Sequence, residues 1–187
     1  MSGFDLERGL RWIGRRRGTR ARRPDESLPL LGPDDRASGP ILLDTCVYID
    51  RIRSAAPAAV LGLLETGYGY HSAIALQELL HAVGALDPAD RRTPAAIDCV
   101  RAQVSRIAHH RLFVPDADVL GRAALLAGLV CRLQDYARDD RLRALHDCVL
   151  FVQALKHGLT VLTANVGDFD ILAQLEPRGL VLHYRRG

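Results

Sequence analysis

The sequence predicts an α/β fold, a three-layer α/β/α sandwich around a mainly parallel central sheet. Three observations carry this. Short apolar runs at 41–44, 159–162 and 180–184 have the length of buried strands. Stretches of helical apolar period lie between them. The two kinds of segment alternate, which places parallel strands between covering helices. A length of 187 residues suits one domain with an appendage, and 48% hydrophobic with 25% charged residues is a globular balance.

Residues 1–23 hold eight arginines against Asp5 and Glu7, while the whole chain carries only +3, so the remainder is net acidic. Leu6, Leu10 and Ile13 would share one helix face, with Arg8, Arg11 and Arg15 mostly opposite. Such a segment suits nucleic-acid phosphates, an anionic surface or a partner groove, and equally a solvated tail. Residues 24–40 (PDESLPLLGPDDRASGP) are rich in Pro, Gly, Asp and Ser and read as a linker. We therefore expect a flexible basic arm and linker over 1–40 and a folded domain over 41–187.

Within that domain, 41–44 reads as a strand and 58–65 as a short helix closed by Gly67. Residues 70–74 read as a second strand. A helix over 75–85 follows, with Leu76, Leu79, Leu80 and Val83 on one side. Ile97, Val100, Val104 and Ile107 recur at helical spacing, 112–114 is a brief strand, and Val119 to Leu133 form another stripe. Residues 145–155 are apolar nearly all round, which predicts a largely buried helix closed by Gly158.

Several classes are disfavoured. No apolar run approaches the ~18 residues of a membrane helix. No secretory signal pattern opens the chain. Cys46, Cys99, Cys131 and Cys148 form no CxxC pair, so zinc-ribbon and disulfide readings are weak and a reducing cytoplasm is expected. No phosphate-loop glycine motif is present. The histidines show no metal-ligand spacing, and His146 is read as structural or solvent-facing.

Four acids draw attention. Asp44 directly follows the first strand, at the sheet edge where α/β folds bind ligands, with Thr45 beside it. Asp44 also fits a plain helix cap. Glu78 sits among leucines (LQELL) beside an apolar stripe, or on a solvated face. Asp147 lies near the start of the most apolar helix, where an ionised carboxylate is costly unless paired, bonded or metal-bound, though the helix dipole also favours it. Asp168 follows a later strand in TVLTANVGDF, with Thr163 and Asn165 as polar supports, or as part of an Asx turn. Crowded carboxylates raise one another's pKa and call for a compensating cation. Oxygen ligands in an open site favour Mg2+ or Mn2+, ions suited to phosphodiester hydrolysis.

The blocks ILLDTCVYID, SAIALQELL and HDCVLFVQALKHGLTVLTANVGDF resemble the PIN-domain ribonucleases, most closely the VapC-like toxins of type II toxin–antitoxin systems. The resemblance runs over about residues 41–184. It implies a PIN-like fold and Mg2+- or Mn2+-dependent RNA cleavage. It also implies Asp44 and Asp147 as metal ligands and Glu78 and Asp168 as the other catalytic acids. Thr45, Thr163 and Asn165 would support them or touch substrate. RNA, a cognate antitoxin protein and a homodimer are the implied partners. The 1–40 segment departs from the usual compact domain, and Ala164 stands where relatives often carry a basic residue. The alternative reading is a catalytically inactive PIN-like module that binds nucleic acid or protein.

Overall fold

A computed structural model describes all residues except 1, 2, 15, 17, 33, 34, 36–38, 67 and 68. In chain order the elements are α1 (Leu6–Gly14), β1 (Ile41–Leu43), α2 (Thr45–Ile52), α3 (Ala58–Glu65), β2 (Gly69–Ser72), α4 (Ala73–Gly84), α5 (Thr93–Val104), β3 (Leu112–Phe113), α6 (Ala117–Gln134), α7 (Arg141–His157), β4 (Thr160–Thr163), α8 (Val166–Leu175) and β5 (Leu180–His183).

The sheet has the order β3-β2-β1-β4-β5, and every pairing is parallel. Ile41 sits opposite Gly69 on one side and Thr160 on the other. Ile41, Leu42 and Leu43 are all buried although successive side chains point to opposite faces, so both faces of β1 are covered. That is the expected three-layer α/β arrangement.

Helix α7 is the core helix the apolar run predicts, with Ala144 and every residue from Asp147 to Ala154 buried. It ends at Gly158, whose φ of 66° is left-handed backbone that glycine adopts without a Cβ clash. Two helices, α2 and α8, were not among the expected elements; each follows a strand directly and spans only 8 or 10 residues, too short for a clear period. Helix α7 begins at Arg141, so Asp147 lies in its second turn rather than near its start, beyond the dipole's effective first turn. Leu80 is exposed, so the buried side of α4 runs through Ala75 and Leu79 instead.

The segment read as arm and linker lies against the body through its described residues. A Cβ at Gly121 of α6 would stand 2.5 Å from the Phe4 ring, and one at Gly9 would stand 2.6 Å from Leu125, so small residues admit this close packing. Trp12 Nε1 donates to Glu176 at 2.7 Å. Arg23 donates from its backbone and its side chain to buried Asp170, both at 2.7 Å. Leu30 bridges in parallel to His183, which covers the open edge of β5. Arg15 on the polar side of the first helix and Gly67 as the close of α3 lie outside the described residues.

Candidate active site

Parallel strands deliver their following residues to one sheet edge, and the four acids stand around the ends of β1 and β4. Asp44 is the N-cap residue of α2, yet its side chain makes no capping bond. Its carboxylate accepts instead from the Thr163 hydroxyl at 2.5 Å and the Cys46 thiol at 2.9 Å. Burial pushes the Asp44 carboxyl up, the bonds from Cys46 and Thr163 pull it back, and Glu78 raises it further.

Asp147 approaches from α7 and is 8% exposed. Burial raises its pKa well above the usual carboxylate range, and Asp44, Asp168 and Glu78 add to that in turn; Arg143 opposes. Asn165, the N-cap of α8, donates from Nδ2 to Asp147 at 3.1 Å and to Asp168 at 2.9 Å. Thr163 Oγ1 accepts from the Asn165 N–H at 2.8 Å while donating to Asp44. One short strand end thus ties three acids together.

Glu78 comes from the second turn of α4. Thr45 donates to its Oε2, and His146 Nδ1 lies 2.8 Å from its Oε1. All seven residues singled out in the sequence therefore gather at one edge. Three more join them without having been assigned a role. His146, read as structural or solvent-facing, touches Glu78. Tyr136, beyond α6, donates its hydroxyl to Asp168. Cys46 accepts from the Ala164 N–H at 3.2 Å besides holding Asp44, and burial raises its thiol pKa, so it serves as a neutral donor. Cys46 and His146 carried a signal in their places, two residues after Asp44 and directly before Asp147; Tyr136 carried none. A cavity of about 340 Å³ opens beside Glu78, lined also by His81, Arg143 and His146.

Among the described residues, no three His, Cys, Asp or Glu side chains already stand where they could hold a metal ion. The carboxylates share a field without sharing a contact. The donor set still fits an oxygen-preferring dication, because each buried carboxylate disfavours its neighbours' charge and a cation would relieve all of them.

No protein-family model matches the sequence, and no curated protein sequence matches it. Solved structures do. The chain resembles one in the crystal structure of DNA-bound VapBC from Salmonella typhimurium, with TM-score 0.56 and 18% identity, covering 78% of this chain and 98% of that one. The chain has a VapC-like PIN fold. A chain of VapBC2 from Rickettsia felis, bound to a fragment of promoter DNA, matches with TM-score 0.54 and 16% identity over 78% of this chain and 98% of that one. FitAcB from Neisseria gonorrhoeae gives TM-score 0.54 and 20% identity over 76% and 96%. At these identities the likeness is one of fold. Within the PIN-like fold, the strand ends carrying Asp44 and Thr163 are where the acids collect. No helix among the described residues is long and apolar enough to cross a membrane.

Proposed function

We propose that the protein is a Mg2+- or Mn2+-dependent endoribonuclease, a hydrolase acting on RNA phosphodiester bonds, and the toxin of a toxin–antitoxin pair. The observation that carries this is Asp147: a buried carboxylate on a core helix, with Asp44, Asp168 and Glu78 all within electrostatic reach. Such a cluster costs stability and is retained where a cation is to be held.

Asp44 and Asp147 would hold the ion. When bound, Mg2+ or Mn2+ would polarise the phosphodiester and lower the pKa of an attacking water. Asn165 and Thr163 keep Asp147, Asp168 and Asp44 from swinging apart under mutual repulsion. Glu78 has both oxygens fixed, by Thr45 and His146, so its carboxylate is oriented to accept a proton from water. Tyr136 holds Asp168 as a fourth, outer acid.

The partner assignments rest on the resemblance; the VapBC and FitAB names of the similar structures support the antitoxin alone. We assign this chain an RNA substrate, a cognate antitoxin and a cytoplasmic location on that basis, and the resemblance is compatible with a homodimer. One observation favours the second reading, a PIN-like module that binds without cutting: no metal-holding trio is preformed among the described residues.

The test is cleavage of RNA oligonucleotides by purified protein. Cutting that needs Mn2+, stops with EDTA and is lost in folded Asp147→Asn supports the reading. An Asp147→Asn protein that cuts as fast as wild type overturns it.

A further inference from the structure

A second charged cavity has no part in the chemistry above. It encloses about 490 Å³ and is lined by residues of α2, α3, β2 and the 106–111 segment before β3. Arg51, Arg106, Arg111, His71 and His110 contribute positive or basic groups, and Glu65 is the one acid among its described lining residues. Leu43, Leu61 and Leu64 supply apolar walls. A concave surface of one sign, backed by low-dielectric walls, concentrates potential for an anion.

Elsewhere this fold pairs its half-buried guanidiniums with carboxylates: Arg16 with Glu176 and Arg23 with Asp170. Among the described residues, half-buried Arg51 has no such ion pair, and Arg106 stands exposed at the cavity rim, also without one. Burial lowers the pKa of Arg51, and Arg106 lowers it further, the mark of like charges held close. His71 is pushed down to about 4, by burial first and then by Arg111 and Arg51, so it faces the cavity as a neutral ring.

The cavity is also joined to the acidic site. Asp44, Tyr48 and Arg51 follow one side of α2 at steps of four and three residues. Tyr48 Oη lies 2.5 Å from His71 Nδ1, at the cavity wall. Asp44 to Arg51 is about 10 Å along the helix axis, or roughly three stacked nucleotide steps of ~3.4 Å.

We propose that this cavity holds a backbone phosphate of the nucleic-acid strand, a few nucleotides along from the phosphodiester that lies at the acids. The site rests on the ribonuclease reading for its ligand. Guanidinium groups match phosphate oxygens in a bidentate fork, which a carboxylate-poor cavity leaves available.

The experiment is fluorescence anisotropy of a labelled RNA oligonucleotide in EDTA, so that nothing is cut, across a salt series. The proteins are wild type, Arg51→Gln, Arg106→Gln, the double variant and Arg106→Lys. The double variant should bind at least about tenfold more weakly, and its log–log salt slope should fall by about 1 to 2. Arg106→Lys keeps the charge without the fork, so it should keep the salt slope while binding more weakly than wild type, and thermal unfolding should match wild type throughout. A double variant that keeps wild-type affinity and slope overturns the site, as does a wild type that binds no RNA at low salt. The same RNA is then given to the wild type with Mn2+. Binding through the arginines without cutting faults the ribonuclease reading and keeps the site; cutting with normal binding by the double variant faults the site alone.

Discussion

Asn165 Nδ2 reaches across from the start of α8 to Asp147 on α7, 3.1 Å away and 18 residues earlier in the chain. The same amide holds Asp168, and Asn165 Oδ1 caps α8 by accepting from the Asp168 N–H at 3.4 Å. One side chain therefore ends a helix and sets the spacing of two acids.

Replacing it should show both roles. Asn165→Ala should cost about 1 kcal/mol through the lost cap, read from the urea midpoint. RNA cleavage should fall as well, since Asp147 loses its only hydrogen-bond donor among the described residues. Unchanged cleavage would mean that the amide is a cap and nothing more.

The main acids were legible because each breaks a local pattern. Asp44 ends a run of three apolar residues, and Asp147 interrupts a helix that is otherwise core. Their convergence follows from parallel topology, which puts all strand ends at one edge. The bonds of His146 and Tyr136 were not legible, because their partners lie 68 and 32 residues away, although the place of His146 beside Asp147 was. The packing of α1 was hidden for a similar reason: Gly9 and Gly121 are unremarkable until Phe4 and Leu125 lie over them.

Asp147→Asn should leave the metal-free protein more stable. The folded-state pKa of Asp147 is raised, so the fold binds more protons than the unfolded chain above the ordinary carboxylate pKa. Stability from this group is full at low pH and is lost as pH rises. In EDTA the variant should melt above wild type at pH 8, with the gap closing toward pH 4. A variant that melts lower at pH 8 would contradict the proposed charge crowding.

Trp12, the chain's one tryptophan, reports on the docking of α1. The bonded Arg178 guanidinium, against some cost of burial and helped by Trp12, holds the Glu176 carboxyl down to about 2. A depressed acid stabilises above its unfolded pKa, roughly 4.3, and loses that contribution as pH falls through about 2. Trp12 emission should shift to the red across that window. Glu176→Gln should remove this transition and loosen α1 at neutral pH; a wild-type emission flat from pH 5 to 2 would contradict the mooring.

His183 is 0% exposed, and among the described residues neither ring nitrogen has a hydrogen-bond partner. Burial first, with smaller charge effects, lowers its pKa to about 4. A depressed base favours folding when neutral, so its contribution fades as pH drops from about 6.5 toward 4. His183→Phe should flatten that fall and raise stability at neutral pH by about 1 kcal/mol or more, measured by urea unfolding. A loss of stability would show that the imidazole makes a contribution its contacts do not account for.

Arg186→Ala should destabilise the protein by about 1–3 kcal/mol. Asp50 is 2% exposed and takes bonds from Arg186 Nε at 2.9 and 3.0 Å, leaving, among the described side chains, Tyr184 Oη at 2.7 Å after the substitution. A urea midpoint equal to wild type would show that Tyr184 alone satisfies the buried carboxylate.

Calorimetric titration with Mn2+ probes the acidic cleft without needing any RNA. Wild-type protein should bind the ion, and both Asp44→Asn and Asp147→Asn, though folded, should lose that binding. A wild-type protein that shows no Mn2+ binding at millimolar concentration would contradict a shared cation site between these two carboxylates.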